Sequence, residues 1–189
     1  MHSHTTTESI QNIVQNISAA ICVLLNLFLI FLIIKKSPSL IGSYRYLMIY
    51  ISINEALYSI ATVLVSPITH HTGYTFLVIS RLDNFNFPPD IQLALVGAYC
   101  GLFGASMATF GIHFIYRYLV ITGNSLVSTF RSWKALVWMS IPLIYGFIWG
   151  FIAVVFCGPR KDTDLIIAAD ILEELDLELE HIVYIAPNL

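Results

Sequence analysis

Charged side chains are scarce in this chain: Asp, Glu, Lys and Arg make up 11% of its 189 residues, whereas hydrophobic residues make up 57%. Soluble domains carry about 25% charged residues. A soluble domain of this size would lack the polar surface needed to cover its apolar side chains. One unusually apolar soluble helical domain is the alternative, which the long uncharged runs disfavour. The composition therefore indicates an integral membrane protein.

Cysteine and clustered metal ligands are scarce too. The three cysteines, Cys22, Cys100 and Cys157, match no metal-binding or disulfide spacing. His70 and His71 are adjacent but have no cysteine or carboxylate beside them, so we predict no metal site. Because no Ser-His-Asp arrangement or phosphate-binding loop is evident, we expect neither a cofactor nor an enzyme. Basic residues form no concentrated face, and we expect no binding to nucleic acid.

Four long apolar runs are what the chain does have. They cover residues 13–34, 46–68, 91–116 and 134–156. Each run is near or above the ~18–20 residues that cross a ~30 Å hydrocarbon layer as a helix. Helices satisfy their own backbone polar groups inside lipid, and the runs lack the alternation of a barrel. The sequence predicts an all-α membrane helical bundle with four transmembrane helices.

Lysine and arginine at the ends of the runs predict the orientation, because they concentrate in cytoplasmic loops. Residues 1–12 carry none, whereas the loops after the first and third runs carry most of them: Lys35, Lys36, Arg45, Arg117, Arg131 and Lys134. We therefore place the N-terminus, residues 1–12, outside, together with the acidic segment 157–189. Asn16 begins an Asn-Ile-Ser glycosylation sequon so near the membrane that we expect little use of it.

Three of the four runs place a polar residue at a similar depth. Asn26, Glu55 and Ser106 lie about 13, 15 and 16 Å from the inner boundary at a rise of 1.5 Å per residue. One interpretation is a buried polar layer that Glu55 anchors and that has two alternative arrangements. The other is simple hydrogen bonding between helices, at about 1 kcal/mol per contact. The two interpretations are compatible, and the sequence leaves both open.

The third run is rich in small residues. Gly97-x-x-x-Gly101 and Gly104-x-x-x-Ala108 are patterns that allow helices to approach closely. We expect the third helix to be central and surrounded by the others, with cavity lining as an alternative use of these glycines.

Arg117 ends the third run between Tyr116 and Tyr118. A long cationic side chain at this position can anchor the helix at the lipid headgroups, or it can contact a partner protein. His113, one turn further into the run, is more typical of a packed or interfacial histidine than of a metal ligand.

The order of these features resembles the nematode seven-helix chemoreceptors, the serpentine receptors of class r, or Str family. The segments that carry the resemblance are "LLNLFLIFLIIKKSPSLIGSYRYLMIYISINEALYSI" at 24–60, "HFIYRYLVI" at 113–121, and the fourth run, which ends in "FCG". The resemblance implies the first four helices of a rhodopsin-like seven-helix fold. It further implies a G-protein-coupled receptor for a small external molecule, in the plasma membrane of sensory neuron cilia.

The resemblance also implies roles for particular residues. Tyr116-Arg117-Tyr118 resembles the Asp-Arg-Tyr triplet that ends helix three of rhodopsin-like receptors, which makes Arg117 a switch residue near the heterotrimeric G protein. Tyr116 stands where that pattern has an acid, so we expect no local arginine–acid lock. Ligand contacts are expected in the outer halves of helices two and three, where packing is the alternative role of each candidate: Tyr58, Tyr99 and Phe103.

The chain is shorter than the resemblance implies, because the family has seven helices and this sequence has four apolar runs. We expect a truncated product that does not signal alone, with Leu165–Ile185 resembling the second outer loop. Helical spacing predicts a short amphipathic helix there (Ala168, Leu172, Leu175, Leu179 and Ile182), although Leu175, Leu177 and Leu179 also alternate as in a strand. The alternative function is a free-standing four-helix protein, a small transporter or scaffold, but no inverted repeat is evident.

Overall fold

The computed structural model describes residues 2–36, 42, 44–72, 75–82, 87–160, 163–164 and 181–186. Four helices, three strands and one 3-10 helix follow one another along these residues: α1 (His2–Lys36), α2 (Tyr44–Val65), β1 (Ile68–Thr72), β2 (Thr75–Arg81), α3 (Pro89–Ile121), the 3-10 helix (Ser125–Arg131), α4 (Ala135–Cys157) and β3 (Ile182–Ile185).

All four α-helices are long and apolar enough to cross a membrane. They confirm the predicted helical bundle, although their ends differ from the predicted ones. Residues 2–12, predicted as a terminal segment, continue α1. α2 ends at Val65, because Ser66 adopts a positive φ of 44° and Pro67 lacks the amide hydrogen that would extend the helix. α3 continues past Arg117 to Ile121.

The bundle has two ends. The arginine end is where α1 and α3 finish and where α2 and α4 begin. The sheet end is where α2 and α4 finish and α3 begins, and there the three strands form one antiparallel sheet in the order β1-β2-β3. Ile79 in the central strand lies opposite Ile68 on one side and Tyr184 on the other.

The sheet is an addition to the predicted helical bundle. Ile182 lies in β3 and not in a helix, because Ile182–Ile185 pairs with β2. The other residues of the predicted amphipathic helix, Ala168 to Leu179, fall outside the described residues. Side chains on the sheet form a small apolar core in which Leu77 and Ile79 are fully buried. The sheet also packs on the helix ends, where Val183 and Ile185 contact the Val65 and Val96 cluster.

Hydrogen bonds fasten β3 to the end of α4. The amide of Ala186 donates to the carbonyl of Cys157 at 2.8 Å. The Tyr184 hydroxyl donates to Oδ1 of Asp164 at 2.5 Å and accepts from the amide of Arg160 at 3.4 Å. Burial and the hydrogen bond to Asp164 raise the pKa of Tyr184 above its ordinary value.

Candidate functional site

Arg117 lies on the exposed side of α3, at a cavity of about 370 Å³ between α1, α2 and α3 near the arginine end. The polar side chains that line this cavity are Asn26, Tyr44, Ser52, His113 and Arg117. No Asp or Glu belongs to its described lining. The guanidinium therefore brings a positive charge to a cavity in which no described carboxylate neutralises it.

Tyr116, the neighbour of Arg117, belongs to a chain of four aromatic residues that we call the aromatic clasp: Tyr44, Tyr116, Phe130 and Trp138. The Tyr116 ring stacks on Tyr44 at a centroid distance of 5.1 Å and an interplanar angle of 15°. It meets Phe130 edge to face at 5.0 Å. Phe130 stacks on Trp138 at 4.7 Å. The clasp therefore links α2, α3, the 3-10 helix and α4 beside Arg117.

The 3-10 helix places Phe130 in the clasp. The Oδ1 atom of Asn124 caps its start by accepting from the amide of Leu126 at 2.9 Å. Phe130 is only 6% exposed and packs with Leu47, Ile112 and Leu119. Nε1 of Trp138 donates to Oγ1 of Thr129 at 3.0 Å. The loop between α3 and α4 is thereby fixed to the helices that carry the clasp.

His113 lies one helical turn from Arg117 and extends the clasp towards the middle of the bundle. Its Nδ1 atom lies 3.3 Å from the hydroxyl of Tyr44. Its ring also meets Phe114 edge to face at 5.9 Å. His113 is thus a packed, hydrogen-bonded residue, as its position in the sequence suggested.

The predicted polar layer forms only in part. Ser106 is buried and its Oγ accepts from Nδ2 of Asn54 at 2.7 Å, which joins α3 to α2. Asn26 instead donates to the carbonyl of Cys22 in its own helix at 3.0 Å. At Glu55 the hydrogen bond found among the described residues is to its backbone carbonyl, from Ser59 at 2.9 Å. The arrangement favours simple interhelical hydrogen bonding centred on Asn54 over a network anchored by Glu55.

The three predicted ligand contacts lie together on α2 and α3. The hydroxyls of Tyr58 and Tyr99 are hydrogen-bonded at 3.0 Å, and their rings stack at 5.1 Å. Phe103 tilts against Tyr58 at 6.4 Å and is 43% exposed. An aromatic surface with two hydroxyls therefore lies about one helical turn from the polar pair of Asn54 and Ser106.

Glycines bring α3 and α4 into backbone contact. A Cβ added to Gly101 would lie 2.8 Å from the carbonyl oxygen of Gly146, and one added to Gly150 would lie 2.7 Å from that of Gly97. The sequence predicted that another helix approaches α3 closely along Gly97-x-x-x-Gly101. It did not predict the partner pattern in α4, Gly146-x-x-x-Gly150. In the other predicted pattern Gly104 faces the ring of Trp149, whereas Ala105, and not Ala108, faces Gly146.

The remaining sequence candidates are the sequon at Asn16, the exposed Tyr118 and the three cysteines. Asn16 lies inside the candidate membrane span Ile10–Lys36, a position that disfavours glycosylation. Tyr118 is 65% exposed beside Arg117. All three cysteines carry free thiols. The described part of the chain contains no group of three or more His, Cys, Asp or Glu side chains that could hold a metal ion.

Comparison with protein families decides what kind of protein this is. Residues 11–189 match the model of the family described as serpentine type 7TM GPCR chemoreceptor Str. The chain belongs to the Str family. The resemblance noted in the sequence is confirmed, and the family is one of multi-pass membrane receptors and not of enzymes.

Several curated proteins of Caenorhabditis elegans are similar to this Str chain. G-protein coupled receptor str-217 is 31% identical over 174 residues, which cover 92% of this chain and 51% of str-217. G-protein coupled receptor str-33 is 29% identical over 143 residues, which cover 75% and 40%. Serpentine receptor class J-38 is 32% identical over 117 residues, which cover 62% and 36%. This Str chain thus spans about half the length of str-217 and a smaller share of str-33 and of class J-38. No solved structure matches it significantly.

Proposed function

We propose that this Str chain supplies the first four helices of a G-protein-coupled chemoreceptor. In this proposal a small external molecule binds at the sheet half of the bundle, and a heterotrimeric G protein binds at the arginine end. The observation that carries the proposal is the placement of Arg117 at an open cavity with no described acid in its lining, beside a tyrosine that the aromatic clasp holds.

The ligand site in this proposal is the surface of Tyr58, Tyr99 and Phe103. The rings offer apolar faces, and the paired hydroxyls offer a hydrogen bond to a ligand oxygen or nitrogen. A small molecule with an apolar body and one or two polar atoms has the matching chemistry, since binding sites combine mostly apolar walls with a few placed polar groups.

The switch in this proposal relies on aromatic packing and not on an ion pair. A ring contact contributes about 0.5–1.5 kcal/mol beyond the burial of its area. The two ring contacts of Tyr116 therefore supply about 1–3 kcal/mol, enough to bias two receptor states by roughly 5- to 150-fold. Arg117 stays free to donate to carboxylates or carbonyl groups of the G protein, because no acid beside it in sequence pairs with the guanidinium.

Topology follows from the same proposal. We infer that the N-terminus and the sheet end face the outside of the plasma membrane and that the arginine end faces the cytoplasm, where the G protein is. The proposal includes a location in the cilia of sensory neurons, because the family resemblance implies it. The alternative of a free-standing four-helix transporter or scaffold has no support from a described feature and is disfavoured by the match over residues 11–189.

Co-expression with the second half of str-217 tests the proposal. The chain and the str-217 segment that follows the matched region are expressed together, and nucleotide exchange on a G protein is measured while candidate odorants are added. We expect exchange to depend on both halves and to fall to background in Arg117→Ala. Arg131→Ala, an exposed arginine in the neighbouring 3-10 helix, is the matched control and retains activity. Equal loss in both variants would contradict the role of Arg117.

A further inference from the structure

The cavity beside Arg117 contains a second polar group that the proposed function does not use. Ser52 of α2 lines this cavity and is only 1% exposed, and its hydroxyl forms no hydrogen bond with any described residue. Ser59 and Thr109, by contrast, each donate to the carbonyl four residues earlier in their helix. The Ser52 oxygen is not sealed by its neighbours, so it can be reached from the cavity. An unpartnered buried hydroxyl costs free energy, which an acceptor in the cavity would recover.

Arg117 and Ser52 lean towards each other, because side chains in a helix tilt towards its N-terminus. α3 ends at the arginine end, so Arg117 leans back into the bundle, whereas α2 begins there, so Ser52 leans outwards. The charge of the guanidinium acts on Tyr44 and His113, which lie one turn further in. The cavity therefore offers a cation near the membrane boundary and a hydroxyl at greater depth.

The remaining walls of the cavity are apolar and open towards lipid. They are formed by Leu29, Met48, Ile51, Phe110 and Phe114. Phe110 is 42% exposed and Phe114 66% exposed, and both lie in the membrane-crossing helix α3, so hydrocarbon meets this side of the cavity in a bilayer. The volume of about 370 Å³ falls in the range of about 300–1,000 Å³ that is typical of small-molecule sites. A chain from the bilayer can therefore enter sideways.

Positive charge at this end of the bundle favours an anionic occupant. Residues 9–54 and 91–161 contain no Asp or Glu, whereas Lys35, Lys36, Arg45 and Arg131 lie at the same end as Arg117. The Arg117 guanidinium forms no hydrogen bond or ion pair with any described residue, so its donors are available to a phosphate, which arginine binds through two parallel hydrogen bonds. Anionic lipids in a membrane are attracted to basic groups at its surface.

We propose that this cavity binds the acyl glycerol phosphate part of an anionic membrane lipid. Such a lipid presents a phosphate, an ester carbonyl and an acyl chain, in the same order as the cation, the hydroxyl and the apolar walls of the cavity. The phosphate accepts from Arg117, and the ester carbonyl accepts from the Ser52 hydroxyl. A bound lipid would compete with a G protein for Arg117, but lipid binding does not rest on the proposed function, because the helices themselves supply every contact.

Photolabelling in lipid vesicles tests the proposal. The chain is reconstituted in phosphatidylcholine vesicles with lysophosphatidate that carries a diazirine in its acyl chain, and labelled peptides are identified after irradiation. We expect label on the cavity segments, residues 26–29 and 110–114, with competition by unmodified lysophosphatidate. Lysophosphatidylcholine should compete at least about tenfold less well, because its choline cation opposes the pairing of the phosphate with arginine. Palmitate should compete about 2- to 10-fold less well, because it has no ester carbonyl for Ser52.

Substitution of the cation locates the phosphate. Arg117→Gln removes the charge from an exposed position, and should reduce labelling at least about tenfold and abolish the preference for lysophosphatidate over lysophosphatidylcholine. Arg131→Gln is the matched control, because Arg131 is also exposed at the arginine end but does not line the cavity, and it should leave labelling unchanged.

Substitution of the hydroxyl locates the ester. Ser52→Ala should reduce labelling about 2- to 10-fold, because one hydrogen bond is lost. The ether-linked analogue of lysophosphatidate, which lacks the carbonyl, should compete equally well with the label in Ser52→Ala and in the unsubstituted chain. Ser59→Ala, a buried serine on the same helix outside the cavity, is the matched control and should leave labelling unchanged.

Other results would overturn the proposal. Equal competition by lysophosphatidylcholine would identify ordinary lipid contact, and equal losses in Arg117→Gln and Arg131→Gln would identify a general attraction to the basic end. Competition by glycerol 3-phosphate as strong as that of the lipid would assign the cavity to a soluble phosphate. Circular dichroism verifies the fold of each variant, and the comparison of ester with ether in the unsubstituted chain stands on its own if Ser52→Ala fails to fold.

Discussion

Replacing Gly150 with alanine tests the close packing of α3 on α4. The added Cβ would lie 2.7 Å from the carbonyl oxygen of Gly97, 3.3 Å from the Cα of Gly101 and 3.5 Å from its amide nitrogen. All three atoms belong to the backbone, so no side chain can rotate away. The two helices must separate by several tenths of an ångström, and over-packing of this kind costs about 1–3 kcal/mol.

The assay is the free energy of unfolding of the chain in mixed micelles, measured by titration with a denaturing detergent. Gly111→Ala is the matched control, because Gly111 lies in the same bundle on α3 and an added Cβ there meets nothing within 4 Å. The loss of unfolding free energy in Gly104→Ala should lie between those of Gly150→Ala and Gly111→Ala. Its added Cβ meets the ring of Trp149 at 3.0 Å, and a side chain can shift. Equal effects at Gly150 and Gly111 would refute the packing argument.

Three further predictions concern other contacts. Ser106→Ala leaves Nδ2 of Asn54 without its partner, and should lower the free energy of unfolding by about 0.6–1.7 kcal/mol, with no further loss when Asn54→Leu is added. Tyr116→Phe should preserve the aromatic clasp, whereas Tyr116→Ala should loosen it and shift the emission of Trp138 to longer wavelength; unchanged emission would argue against the clasp. Tyr184 has a raised pKa, so the folded sheet favours the protonated hydroxyl, and its contribution to stability is complete below the ordinary pKa of 10.0 and decreases as the pH rises above it. The protection factors of the β3 amides, which are normalised to the intrinsic base-catalysed exchange rate, should therefore fall above about pH 10, and Tyr184→Phe should remove that fall.

The four helices were predictable because a membrane span requires a long uncharged run, and length and charge are read directly from sequence. The rotation of each helix was not predictable in the same way. Glu55 and Asn54 lie at nearly equal depth, but successive residues of a helix point about 100° apart. Only the packing of α2 on α3 directs Asn54 to Ser106 and leaves Glu55 half-buried.

Most of the features that the sequence did not predict are contacts between residues far apart in the chain. The β1–β2 hairpin had a local signal, since both strands are rich in β-branched residues and a glycine lies between them. Its pairing with β3 had none, because β3 follows about a hundred residues later. Phe130 likewise lies in a short loop without periodicity, so nothing local marked it as a member of the clasp. Gly146-x-x-x-Gly150, in contrast, is visible in the fourth run and could have been paired with the glycines of the third.

Accessibility of single cysteines in intact cells tests the central claim most directly, because a G protein can reach Arg117 only if the arginine end faces the cytoplasm. A membrane-impermeant thiol reagent is applied to cells that express a cysteine-free chain carrying one new cysteine, either at Ser128 in the 3-10 helix or at Thr69 in β1. The account predicts labelling at Thr69→Cys in intact cells, and labelling at Ser128→Cys only after the cells are permeabilised. Labelling of Ser128→Cys in intact cells would place the arginine end outside and contradict the account.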